Sequence, residues 1–395
     1  MSGKPMRSIY LDHSSTTPVR PEVVEAMLPF WTDRFGNAGS IHAFGRSCRR
    51  AVDDARDQVA ALIDAHPRDI VFTSGGTESD NLAVRGIPGA RPPGRRGILV
   101  SAVEHHAVLH AAEAEAKHDG GAVRILPVSA DGVADVGALE ALADDSLALV
   151  SVMHANNETG VIQPVAAVAE WCCARGIPFH CDVVQSIGKI PFSIKALPVA
   201  MLAISAHKLN GPKGVGACYI RKGTEFVPQM SGGFQERERR AGTENVAGIV
   251  GFGKACEIAK RDMDTVAARM RRLRDALQSG ILERIPESFV NGAQAERLPH
   301  LLNIRFAGVE GESVVLALDV EGVAVSSGST CSSGAVEASH VLLAMGQTHA
   351  EAQSAVRFSL GHSTTEAEID EVLALLPGVI ERIRRATPRP TSAPI

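Results

Sequence analysis

The sequence predicts an α/β protein, with a large unit built on a mostly parallel sheet and a smaller α+β unit beyond it. Two observations predict this. Apolar runs of strand length alternate with helical patterns through the first two-thirds of the chain. After one long helical run, the composition and the order of elements then change.

The candidate strands are Asp69–Thr73, Gly97–Ser101, Leu147–Met153, Pro178–Asp182, Met201–Ser205 and Gly216–Ile220. Most intervening stretches carry apolar residues at helical spacing, as in Ser47–Ile63 and Glu78–Arg85. Such alternation reads as a parallel sheet covered on both faces. A run from about Ala247 to Leu282 reads as one helix. Strand-like segments at Leu301–Phe306, Val323–Ser327 and Ala355–Leu360 follow, with helices near Glu312–Leu318, Ser339–Ala344 and Glu366–Glu381. The Pro/Ser/Thr-rich ending is expected to be disordered.

Composition excludes several classes of function. Of 395 residues, 45% are hydrophobic, enough for a sizeable core. The net charge of −5 gives no electrostatic footprint for nucleic acid or an anionic membrane, and 4% aromatics leave little for base stacking. No apolar run approaches ~18 residues, and no secretory signal opens the chain, so a soluble, cytoplasmic protein is expected. The seven cysteines are scattered without a C-x-x-C pair, which speaks against a disulfide framework or a zinc ribbon. Most sit among apolar residues; Cys331 does not.

Ligands on open α/β sheets bind beyond the carboxyl ends of the strands. Five motifs lie there. Thr73-Ser-Gly-Gly76-Thr77-Glu-Ser-Asp-Asn81 opens a helix whose N–H groups could hold a phosphate; an ordinary capped helix is the alternative. Ser101-Ala-Val-Glu-His105-His106 places His105 where it could lie over a planar ligand or be a hydrogen-bonded pocket residue. His106 and His110 have metal-pair spacing but no evident third ligand. His154-Ala-Asn-Asn157-Glu-Thr-Gly160 puts polar groups after an apolar strand, as a plain turn also would. His180-Cys-Asp182-Val-Val-Gln185-Ser ends a buried strand in a carboxylate, which needs a partner: the protonated ring nitrogen of a cofactor, or the N-terminus of a following helix that it caps. Ser205-Ala-His207-Lys208, followed by a Gly-rich turn, suits an amine desolvated enough to form a Schiff base, or a surface lysine beside a turn. Asp182 precedes Lys208 by 26 positions, downstream of a phosphate loop, and this order suits pyridoxal phosphate.

An S-x-x-K at Ser205–Lys208 and an S-D-N at Ser79–Asn81 occur in the wrong order for penicillin-recognising enzymes, and no K-T-G follows. In the smaller unit, Cys331 lies in Ser326-Ser-Gly-Ser-Thr-Cys-Ser-Ser-Gly334, a small polar segment unlike a core strand. Arg357, alone in an apolar strand, suits bidentate capture of a carboxylate or an internal salt bridge.

With these motifs in order, the chain resembles the cysteine desulfurases, the NifS/IscS-like branch of the class V aminotransferase-like, fold-type I pyridoxal phosphate enzymes. The likeness runs from Tyr10-Leu-Asp-His-Ser-Ser-Thr-Thr-Pro18 through Phe35-Gly-Asn37 and Arg240-Ala-Gly-Thr243-Glu-Asn245 to Thr365. Ser14-Ser15 and Ala38 depart from the usual pattern, and a longer C-terminal scaffold-docking extension is lacking.

The resemblance implies the fold-type I architecture. It comprises a large cofactor domain over 17–262 on a seven-stranded sheet, a small domain over 1–16 plus 263–387 carrying the cysteine loop, and a disordered tail over 388–395. It implies that Lys208 forms the Schiff base, Asp182 pairs with the ring nitrogen, Gln185 bonds the phenolic oxygen, and His105 stacks on the ring as a catalytic group. Gly76, Thr77, Ser205 and His207 would bind phosphate, joined by Thr243 from the other subunit of a homodimer. Asn157 would contact cofactor or substrate, Arg357 and Asn37 would hold the substrate carboxylate, and Cys331 would take the sulfur. The implied reaction converts L-cysteine to L-alanine and passes sulfur from a Cys331 persulfide to an acceptor such as an iron–sulfur scaffold. Transient cluster ligation by Cys331 would fit that role, and no resident metal is implied. The alternatives are a selenocysteine lyase of the same branch, an aminotransferase, and a cofactor-free scaffold.

Overall fold

A computed structural model describes residues 8–119, 121–327 and 337–386. Among them the strands are β1 (Ile9–Tyr10), β2 (Ile70–Thr73), β3 (Gly97–Ser101), β4 (Val123–Leu126), β5 (Leu147–Ser151), β6 (Phe179–Asp182), β7 (Met201–Ser205), β8 (Gly216–Ile220), β9 (Ser288–Val290), β10 (Leu301–Phe306), β11 (Val323–Ala324) and β12 (Ala355–Ser359). Seven form one sheet in the order β2-β8-β7-β6-β5-β3-β4. All neighbours are parallel except β8, which runs antiparallel to both β2 and β7.

The six strands read from the sequence are all present. The seventh, β4, escaped that reading because it is a half-exposed edge strand interrupted by Arg124, with no apolar run to betray it. Val323–Ser327 shortens to a two-residue strand, after which Ser326 forms a lone bridge to Arg357.

Helices cover both faces of the sheet. On one side Ala43–Leu62, Val165–Arg175 and the start of Val246–Arg284 bury an apolar cluster including Val59, Cys172 and Phe252. On the other, Gly76–Gly89 and His106–Asp119 pack Leu82, Ile87 and Val108 against Val100 and Leu149. The first face tolerates no bulk where two helices cross: a Cβ on Gly253 would sit 2.7 Å from the Ala55 Cα. The 39-residue helix Val246–Arg284 is capped by the Asn245 side chain, which accepts from the Gly248 N–H at 3.1 Å. It feeds Phe252 and Ile258 into this core and Leu273, Leu277 and Ile281 into a second. The second core lies under the antiparallel sheet β12-β10-β9.

Register positions the site. Asp182 pairs with Ala203 across β6 and β7, so Asp182 and the turn after Ser205 emerge at the same sheet edge. Beyond β1 the chain runs along β12: the Ser359 N–H donates to the Leu11 carbonyl at 2.7 Å, and the His13 N–H donates to the Ser359 carbonyl at 3.1 Å. That pinning carries Ser14 and Ser15 across to the large sheet.

Candidate active site

Beyond the carboxyl ends of β2, β5, β6 and β7 lies a cavity of about 370 Å³. Its lining includes Gly76, Thr77, His105, Asn157, Asp182, Gln185, Ser205, His207, Lys208 and Arg357. The chain thus brings together nine residues singled out from strand-end motifs, far apart in sequence, with Arg357 from the smaller unit.

Lys208 closes the short 3-10 turn Ala206–Lys208 directly after β7. Its ammonium donates to the Ser14 carbonyl and, at 2.7 Å, to that of Ser15. Burial, reinforced by the Arg357 charge, pushes its pKa down to about 8, while Asp12 and Asp182 oppose the shift. A lysine brought this near neutrality can supply a free amine, so the desolvated reading describes it and the surface reading does not.

Asp182 is buried at the end of β6, and burial holds its carboxyl above the usual range while the Val184 N–H and the Lys208 charge pull it down. One oxygen accepts from the Val184 N–H at 2.8 Å. The expected capped helix is a turn here, with Asp182 accepting at its first residues, and the residue also lines the cavity. Gln185 donates through Nε2 to the Ser14 carbonyl at 2.9 Å, and its buried Oε1 finds no partner among the described residues.

The helix Gly76–Gly89 begins without a side-chain cap; Gly75 stands at the N-cap. Its opening N–H groups at Gly76 and Thr77 therefore border the cavity unclaimed by any cap, as an anion cradle requires. Glu78 instead binds Arg240 through two contacts, 2.8 and 3.1 Å, tying the loop that carries Thr243 to this helix. His105 accepts the Ala107 N–H on Nδ1 at 3.1 Å, and burial lowers its pKa to about 4, leaving a neutral ring. His207 meets the Thr16 hydroxyl at 3.1 Å and is lowered to about 4 by burial and the neighbouring lysines.

Arg357 makes the internal salt bridge of its structural reading, and it also lines the cavity. Nη2 donates to Asp12 at 2.9 Å and to the Ser15 hydroxyl at 2.6 Å, and Nη1 donates to the Asn157 carbonyl at 2.9 Å. Its buried Nε stays unpartnered among the described residues.

Asn37 and Thr243 lie elsewhere. Asn37 is exposed, its side chain accepting the Gly39 N–H at 2.8 Å, and Thr243 is exposed in its loop. Neither lines the cavity. Cys331 falls outside the described residues, but both flanks of its segment are tied to the site. Ser326 and Arg357 exchange backbone hydrogen bonds of 3.2 and 2.7 Å, and the Ser339 hydroxyl donates to Glu158. Of the other cysteines, burial raises Cys172 to about 12 and Cys181, Cys218 and Cys256 also upward, as befits core thiols; Cys173 is exposed. The His106 and His110 rings stack 4.7 Å apart, with His340 at 4.6 Å from His106.

Sequence reasoning missed Ser14, Ser15 and Asp80 as lining residues. Asp80 lies one helical turn beyond Thr77, so its place on the cavity face was readable from spacing. The two serine carbonyls reach Lys208 through a contact spanning nearly two hundred residues, which leaves no local signal.

Comparison with known proteins is consistent across three levels. The class-V aminotransferase family profile matches residues 9–372. A cysteine desulfurase of Trichormus azollae is 47% identical over 97% of this chain and 95% of its own. The cysteine desulfurase IscS of Dictyoglomus turgidum is 47% identical over 97% of both chains. Among solved structures, a NifS-like protein superposes with a TM-score of 0.89 at 36% identity, covering 95% of this chain and all of its own. SspA in complex with cysteine superposes with a TM-score of 0.80 at 30% identity, covering 91% of this chain and all of its own.

Proposed function

The chain belongs to the class-V aminotransferase family and is a cysteine desulfurase of its NifS/IscS-like branch, and we propose that the strand-end cavity is where it takes sulfur from L-cysteine. The single observation that carries this assignment is the convergence of Lys208 and Asp182, from neighbouring strand ends, with the uncapped helix start at Gly76–Thr77 in one cavity.

The residues fit pyridoxal phosphate. A buried carboxylate at Asp182 suits a protonated ring nitrogen, and the unclaimed N–H groups at Gly76 and Thr77, with Ser205 and His207, suit its phosphate. The unpartnered amide oxygen of Gln185 and the neutral His105 ring fit a polar aromatic group beside them. When bound, this cofactor supplies an electron sink conjugated to the substrate amine.

The chain's own groups do the rest. Arg357, rigidly held by Asp12, Ser15 and Asn157, orients the substrate carboxylate. Lys208, as a neutral amine, accepts the α-proton and returns a proton to carbon. The Cys331 thiolate attacks the substrate sulfur: the new S–S bond forms, the Cβ–S bond breaks, and its electron pair stays with carbon. Cysteine plus the Cys331 thiol thus give alanine plus a Cys331 persulfide, with no external oxidant. The persulfide then passes its outer sulfur to an acceptor thiol, in service of iron–sulfur or other sulfur-containing cofactors.

Assembly as a homodimer completes the site. Trp31, Phe35, Ile41, Phe44 and Phe234 are exposed, Ile41 at 91% and Phe234 at 84%, in the segments bearing Asn37 and Thr243. Such an apolar face is unusual on a free surface and suits a second copy. Thr243 of one copy then reaches the phosphate cradle of the other. Separate apolar clusters under the two sheets support a large domain over 17–262 and a small domain over 1–16 and 263–387. The free thiols suit the cytoplasm.

The test is alanine release from L-cysteine by the purified protein, beside the visible spectrum. Lys208→Ala is expected to lower release at least 10³-fold and abolish the lysine-dependent absorbance. Wild-type turnover in that variant would overturn the assignment.

A further inference from the structure

A second cavity, about 60 Å³, shares only Lys208 with the active-site lining. That volume admits a few water-sized particles and nothing as large as a nucleotide or amino acid. Much of its wall is aliphatic, from Leu209, Ile258 and neighbours, but one side is densely polar.

Lys189, on the turn after β6, is 8% exposed, and its ammonium has no hydrogen-bond partner among the described residues. His13 and His300, 3% and 1% exposed, and the half-buried His362 each leave Nδ1 unpartnered there as well. The Nε2 of His300 lies 3.4 Å from the Ser14 hydroxyl, so its ring can accept on Nε2 and carry the proton on Nδ1. Asp262 is the one carboxylate of the described lining, and it is already taken by Arg261 at 2.7 Å and Arg20 at 3.4 Å.

A buried ammonium brings three donors, and no described residue accepts them. Burying such a group without acceptor or counter-charge is costly. A buried ammonium beside a single carboxylate already claimed by two arginines, in a chamber walled largely by hydrocarbon, has the chemistry of an anion site, as a paired charge restores what desolvation removes.

We propose that this cavity binds a small inorganic anion of the halide class, held by the Lys189 ammonium and the Nδ1–H of His300. Burial and the Lys208 charge depress Lys189 to about 7, and a bound anion would restore its charge at neutral pH. His13, Lys189 and His300 all line this one cavity. The active-site lysine borders that space, so occupancy also adds a negative charge near Lys208.

The test uses the holoenzyme with chloride replacing gluconate at constant ionic strength. Thermal unfolding of the wild type is expected to shift upward on the order of 2 °C as the site fills, and Lys189→Met is expected to lose that shift. Crystals of the wild type grown in bromide are expected to give an anomalous peak between Lys189 and His300. A halide shift that persists in Lys189→Met overturns the proposal. So do bromide peaks confined to the surface, a cavity holding water alone, or no halide shift in the wild type. If Lys189→Met does not fold, the bromide map decides.

Discussion

The Glu158 carboxylate accepts the Ser339 hydroxyl, joining the turn after β5 to the residues just beyond segment 328–336. Glu158 is buried, and its neighbour Asn157 gives its carbonyl to Arg357. The carboxyl-side anchor of the cysteine segment is thereby fixed to the loop that also bonds Arg357.

Removing that anchor is expected to slow sulfur capture without disturbing the cofactor. Glu158→Ala should lower persulfide formation about tenfold with an unchanged visible spectrum, and Glu158→Gln, which keeps an acceptor, should lower it less. Equal loss in both variants, or loss of the cofactor spectrum, would contradict the anchoring role.

Lys208 gives a pH signature. Its pKa lies near 8, below the ordinary lysine value, so the neutral amine is scarce below pH 8 and dominant above it. Capture of the cofactor aldehyde by apoprotein should rise about tenfold per pH unit up to pH 8 and then level off. A rate still climbing at pH 10 would show that burial does not depress this amine. Asp12→Asn should move the limb to lower pH, because the Asp12 charge favours the ammonium.

Cys331→Ser should retain the cofactor and the substrate-induced spectral change while making almost no alanine. A serine hydroxyl stays protonated near neutrality, whereas a thiol ionises in part. Mass spectrometry of the wild type should place the added sulfur on Cys331 and not on Cys172, whose thiol is held at about 12 by burial. Persulfide found solely on another cysteine would reassign the nucleophile.

Arg56 and Glu236 make a buried bidentate pair, with contacts of 2.7 Å, and Glu236 also accepts the Phe72 N–H at 3.1 Å. This pair holds Glu236, Arg237 and Glu238 in consecutive left-handed conformations, with φ from 47° to 65°. Glu236→Ala should destabilise the fold by about 3–5 kcal/mol, since it strands the Arg56 charge. Denaturant unfolding checks this; a change under 1 kcal/mol would mean that water compensates the arginine.

Most of the site was legible because its parts sit at strand ends, where an apolar run stops abruptly at Thr73, Ser151, Asp182 and Ser205. Each break is local, so a linear reading finds it. Strand β4 was not legible, because an edge strand exposed on one face alternates too weakly to stand out. Nor was the role of Ser14 and Ser15, whose carbonyls meet Lys208 only once β1 has paired with β11 and the following chain with β12. Lys189 carries no local sign of its burial, which only the folded arrangement shows.

The helix Val246–Arg284 is one uninterrupted rod of roughly 58 Å by the α-helical rise. The cluster on one face of the large sheet and the core under β12-β10-β9 both draw side chains from it, so neither stays intact if the rod is cut or unwinds. A protease nick near Lys260 would therefore not liberate a free-standing lobe, and heating should melt the whole molecule in a single step.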